Sequence, residues 1–168
     1  MDIREIHNFL NKMWEETFKL REELREELKD FEVEEVGEVF NAYLYVDGRW
    51  EEMKYPHPAF TIRPGGEVGA TPQGFYFVFA FSKDELTKEF IGRFLRKFKK
   101  QSFIYGMKNF LEDFYNPNNP RGYEEVFEKI KNSDEEFINF EVDTSFNREE
   151  LKRKLREFIE LAREFDLL

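Results

Sequence analysis

The sequence predicts a two-layer α+β fold: an antiparallel sheet of four to five strands with helices packed on one face. Three observations carry the prediction. Both ends of the chain repeat apolar residues at helical spacing, the middle alternates at strand spacing, and Gly74 to Ser82 is the most apolar run in a chain that is otherwise 37% charged. In that run Phe75, Phe77, Phe79 and Phe81 share one face of a central strand, while Tyr76, Val78 and Ala80 share the other. Neither face is made for water, so the second one needs a covering besides the sheet's own helices.

The 168 residues contain no linker-like interior stretch, which predicts one domain over residues 1–168. With 21 Phe, core and interface must be built largely from phenyl rings. The interspersed charge, rich in Glu and Lys, matches the composition of hyperthermophile proteins. Absence of cysteine excludes disulfides, a thiolate nucleophile and Cys-based metal sites. A net charge of −10 argues against nucleic acid and anionic membrane as general partners. The N-terminus lacks the apolar core of a signal peptide, and no run approaches the roughly 20 apolar residues of a membrane span, so a cytoplasmic protein is expected.

Taking the elements in order, Ile6, Leu10, Met13, Leu20, Leu24, Leu28 and Phe31 form one stripe and predict a long helix from Ile3 to Phe31. Glu15 with Lys19, Lys19 with Glu23 and Glu22 with Arg25 stand at spacings that support its exposed face. Alternation from Val36 to Val46 predicts the first strand. Asp47-Gly48 is the favoured pair of a type I′ hairpin turn, which sets Tyr45 opposite Trp50 and Ala42 opposite Met53, with the second strand over Arg49 to Tyr55. Pro56-His57-Pro58 interrupts the sheet, Ala59 to Arg63 resumes it, and Pro64 to Gln73 reads as a long glycine-rich loop with room for a short strand around Val68.

After the central strand, Ser82 and Glu85 fit a capping box for a helix presenting Leu86, Phe90, Phe94 and Phe98. Phe103, Met107, Phe110, Leu111 and Phe114 continue a helical stripe, and Asn116 to Gly122 is a loop. Tyr123, Val126, Phe127 and Ile130 mark a short helix. Glu136 to Asp143 is the last strand, with Ile138, Phe140 and Val142 inward. Asn147 caps the final helix, whose buried stripe is Leu151, Leu155, Phe158, Ile159 and Ala162.

This order, a helix, several antiparallel strands, helical material, a strand and a helix, resembles the type III secretion chaperone-like arrangement. The resemblance implies a small, acidic, cytoplasmic dimer that binds protein segments. In overall character the chain also resembles uncharacterised small proteins of hyperthermophilic archaea, a resemblance that implies no activity.

Candidate chemistry is sparse. His7 has no HExxH partner, and no metal set is present. His57, held between two prolines near Arg63, Gly65 and Gly66, is the one group placed to serve a ligand pocket or acid–base chemistry, although no triad spacing accompanies it. Gly65, Gly66 and Gly69 lack the Gly-Lys-Ser/Thr context of a phosphate loop, and no cofactor motif occurs. Arg93, Arg96, Lys97, Lys99 and Lys100 cluster where a helix C-terminus favours positive charge. The expected function is therefore a non-enzymatic, dimeric protein-interaction or chaperone-like module whose partner-binding residues are Tyr43, Tyr45, Trp50, Tyr76 and Val78. The alternative is a small-ligand-binding or hydrolytic domain with its pocket near His57 and the Gly65–Gly69 loop.

Overall fold

A computed structural model describes residues 3–168 apart from 37–38, 47, 57–58, 64, 72 and 110–111. Its elements in chain order are α1 (Ile3–Glu23), β1 (Glu32–Val36), β2 (Val39–Val46), β3 (Arg49–Pro56), β4 (Ala59–Arg63), β5 (Gly66–Thr71), β6 (Gly74–Ser82), α2 (Lys88–Phe98), β7 (Ser102–Gly106), β8 (Asp113–Tyr115), α3 (Tyr123–Asn132), β9 (Phe137–Asp143) and α4 (Arg148–Glu164). The α+β class holds, but the main sheet has seven strands, in the order β1-β4-β5-β6-β9-β7-β8, instead of four to five. β2 and β3 form a two-stranded ribbon of their own.

Two physical effects account for the extra strands. The glycine-rich stretch forms β5, which pairs with both β4 and β6. Its glycines make room for rings: a Cβ on Gly66 would strike the Phe79 ring, and one on Gly69 would strike the Tyr76 ring and the Ala59 methyl. The stretch from Ser102 onward is the second correction. The spacing of Phe103, Met107 and Phe114 imitates a helix, yet β7 alternates, with Ser102, Ile104 and Gly106 buried and Phe103 and Tyr105 half-buried. Backbone pairing with β9 and β8 outweighs the apolar spacing here. Phe110 and Leu111 lie outside the described residues.

The N-terminal helix is shorter than its stripe. α1 ends at Glu23, and turns continue to Asp30 with Leu24 and Leu28 still buried. Glu22, Glu23, Glu26 and Glu27 oppose the negative end of the helix dipole, which favours termination there. Of the expected pairs along this helix, Arg25 with Glu22 forms at 2.5 Å, whereas Lys19 meets Glu16 at 3.5 Å. The capping box after Ser82 does not form. Ser82 is still paired with Phe137 in the ladder, a 3₁₀ turn follows over Lys83–Glu85, and Thr87 is the cap of α2, accepting from the Phe90 N–H at 3.1 Å. At the other helix the expectation holds: Asn147 caps α4, accepting from the Glu150 N–H at 3.0 Å.

The central strand runs from Gly74 to Ser82 as expected, and its Phe face is the core. The Phe158 ring of α4 sits over it, 5.4 Å from Phe77, 5.2 Å from Phe79 and 6.1 Å from Phe81, and also meets Phe94 at 5.9 Å and Phe98 at 6.3 Å. Val68, Phe140 and Val142 extend this face across neighbouring strands, α1 touches β4 and β5, and Leu20 and Leu24 join the same core. The N-terminal segment is then locked to α4 by charge. Arg148 pairs with Glu16 and, at 3.0 Å, with Glu23; Arg156 reaches Glu27 at 2.8 Å; Arg163 reaches Asp30 at 3.3 Å. Replacing Phe158 with Ala is expected to remove a ring shared by five others and lower unfolding free energy by about 3–5 kcal/mol, measured by urea denaturation. A loss below 1 kcal/mol would mean that the core does not centre on this ring.

Candidate functional site

The face of the main sheet away from Phe158 differs in kind. Strand pairing sets Val78 between Glu67 and Glu141, Tyr76 between Gly69 and Asp143, and Ala80 opposite Asn139. β7 adds Phe103 opposite Glu141 and Tyr105 opposite Asn139. The Tyr76 ring lies across Gly69 and donates from its hydroxyl to Glu67 at 3.1 Å, while Tyr105 donates to Glu141 at 2.9 Å. Three carboxyl groups and two tyrosines thus share one surface.

Burial shifts four of these groups, Glu141, Asp143 and the two tyrosines. Glu141 is pushed up to about 8, first by desolvation and then by its hydrogen bond to, and the charge of, Asp143; the Tyr105 hydroxyl works in the opposite direction. Asp143 is also raised by burial, and accepting from Glu141 offsets part of that rise. At neutral pH Glu141 therefore keeps its proton and donates it to Asp143. Oδ1 of Asp143 is buried and has no hydrogen-bond partner among the described residues. Both tyrosines are raised, mainly by burial and then by the adjacent carboxylates, so they act as neutral donors. Such a surface offers hydrogen bonds and a shared proton. Among the described residues no group of three or more His, Asp and Glu is placed to hold a metal ion.

The expected site residues fall into separate regions. Tyr45 does stand opposite Trp50 and Ala42 opposite Met53, and Gly48 has the positive φ of +83° that the tight turn requires. Tyr43, Tyr45 and Trp50 belong to the β2–β3 ribbon, however, whereas Tyr76 and Val78 belong to the main sheet, so they share no sheet. His57 lies outside the described residues. Arg63 ends β4 and is exposed; Gly65 sits in the β4–β5 turn, its carbonyl accepting from the Ala80 N–H at 2.9 Å; Gly66 begins β5 and is buried. In the basic cluster, Arg93 pairs with Glu164 at 2.9 Å and lies over the Phe165 ring, while Phe94 and Phe98 are buried. Sequence reading overlooked Glu67, Tyr105, Glu141 and Asp143. Period-two alternation in Glu136–Asp143 held a usable signal, since Glu141 and Asp143 fall opposite the inward Ile138, Phe140 and Val142.

A family model described as a protein of unknown function, DUF3201, matches residues 8–157. The chain belongs to the DUF3201 family. It is similar to a solved structure of a conserved hypothetical protein from Pyrococcus furiosus, with 65% identity, a TM-score of 0.84 and 99% of each chain covered. That relative comes from a hyperthermophilic archaeon, in keeping with the charged composition. The likeness to type III secretion chaperones is not shown by either match. No curated protein matches the chain. No helix among the described residues is long and apolar enough to cross a membrane.

The carboxyl pair has a consequence for stability in this family member. A carboxyl group whose folded value is raised contributes fully below its ordinary range near 4.5, and the contribution fades as pH rises through about 8, because only the unfolded chain ionises freely in that window. Replacing Glu141 with Gln is expected to flatten the decline in urea midpoint between pH 5 and pH 9. At the alkaline end it should stabilise the protein by on the order of 2 kcal/mol. An unchanged slope in the variant would place the proton elsewhere.

Proposed function

We propose that the protein is a cytoplasmic, non-enzymatic protein-interaction or chaperone-like binding module that works as a dimer. Its partner surface has two parts, the β2–β3 ribbon with Tyr43, Tyr45 and Trp50, and the second face of the main sheet with Tyr76 and Val78. The observation that carries this reading is the ribbon itself. Two strands of eight residues each, joined by a tight turn, form a sheet with no third strand among the described residues. A two-stranded ribbon is marginal at best in water and needs a surface to pack on. Its sequence is rich in the large aromatic residues that dominate interfaces.

The second face of the sheet supports the same reading. The described helix contacts of the sheet, from α1 to β4 and β5 and from α4 to β6, go with the Phe-face core. Val78 and Ala80 are half-buried there, and Phe137 at its end is 42% exposed. Neutral tyrosine hydroxyls and the protonated Glu141 between these apolar positions suit a protein surface better than a bare ion.

Sedimentation at micromolar concentration is expected to give a dimer. The double substitution Tyr45→Ser with Trp50→Ser should weaken self-association by about tenfold or more while leaving the main-sheet fold intact by circular dichroism. A wild-type protein that sediments as a monomer and binds no hydrophobic dye would overturn the proposal.

A further inference from the structure

The ribbon has two edges, and they differ in charge. β3 reads Arg-Trp-Glu-Glu-Met-Lys-Tyr-Pro, with four charged residues and a proline over Arg49–Pro56. β2 reads Val-Phe-Asn-Ala-Tyr-Leu-Tyr-Val, with no charge and no proline over Val39–Val46. The other strand edges of the fold are guarded in the usual ways: β1, at one end of the main sheet, carries Glu32, Glu34 and Glu35, and β8, at the other, is only three residues long. Among the described strand edges β2 alone combines length, high strand propensity and neutrality, and among the described residues β3 is its only ladder partner. An edge of that kind is a template for another strand.

We infer that β2 pairs antiparallel with β2 of a second copy, joining two ribbons into one four-stranded sheet across a two-fold axis. The inference rests on the dimer reading above and names its contact. Hairpin geometry selects the register. Val46 and Arg49 flank the two-residue turn and exchange hydrogen bonds with each other, so Val39, Asn41, Tyr43 and Tyr45 direct their backbone groups to the outer edge. A two-fold axis at Ala42 then sets Ala42 against its own copy, Asn41 against Tyr43, Val39 against Tyr45 and Phe40 against Leu44. About eight backbone hydrogen bonds form, and no like charges meet. The same operation on β1 would bring glutamates together, which is why the second copy is assigned to β2.

The chain has no cysteine, so a single introduced thiol reports cleanly. Ala42→Cys is expected to give a disulfide-linked dimer under mild oxidation, because directly opposed strand residues lie within the Cα separation that a disulfide spans. Met53→Cys, on the other strand of the ribbon, should stay monomeric on a denaturing gel. Tyr43→Pro removes an outward N–H and leaves the β2–β3 ladder its own bonds; it should raise the dimer dissociation constant at least tenfold. Tyr43→Lys, which keeps the N–H, should do so through like-charge repulsion if the proline variant fails to fold. A dimer in sedimentation that neither Tyr43 variant weakens, with no Ala42→Cys cross-link, would overturn the β2 pairing and leave the dimer standing. A monomeric wild type would remove both.

Discussion

One ring organises the fold. Phe158 lies over Phe77, Phe79 and Phe81 of the central strand, and Phe94 and Phe98 close around it from α2. Because side chains alternate along a strand, seating this cluster commits every second residue of β6 to the helix layer and turns Tyr76, Val78 and Ala80 the other way. The same register carries across the sheet, so Val68, Phe140 and Val142 join the core while Glu67, Glu141 and Asp143 are carried to the opposite face. The chemistry of that second face is thus a consequence of packing on the first.

The N-terminal segment is held to this core in two ways. Its leucines join the apolar core, and its carboxylates meet three arginines spaced along α4. Partly exposed pairs of this kind are individually weak, but several in line along two packed segments fix the segment's position. This matters for the ribbon, because β1 follows the segment directly and the described β2–β3 pairs keep the register of the β1–β4 pairs.

Much of this was legible in the residues. The central strand, the hairpin register from Asp47-Gly48, the Asn147 cap and the buried stripe of α4 all follow from local rules: alternation, turn chemistry, capping and helical periodicity. Sequence and structure part where a local pattern has two readings. Phe103 to Phe114 fits helical spacing, but β9 was available as a ladder partner, and five residues of alternation sufficed. Glycines from Gly65 to Gly69 look like a loop until Phe79 and Tyr76 are seen to fill the space a Cβ would occupy. Abundant Glu hides the carboxyl pair in the sequence, and only position singles out Glu141 and Asp143.

By itself the sequence determined the class of fold, the aromatic nature of the core, and which stretches make the central strand, the first hairpin and the last helix, since these depend on neighbours within a few residues. Tertiary structure decided the rest. Which strands share a sheet is set by pairing between distant segments, and it is this pairing that moved Tyr43, Tyr45 and Trp50 into a ribbon apart from Tyr76 and Val78. It also brought Tyr105 to Glu141 and buried the carboxyl pair, and no local pattern encodes a desolvation that only packing produces.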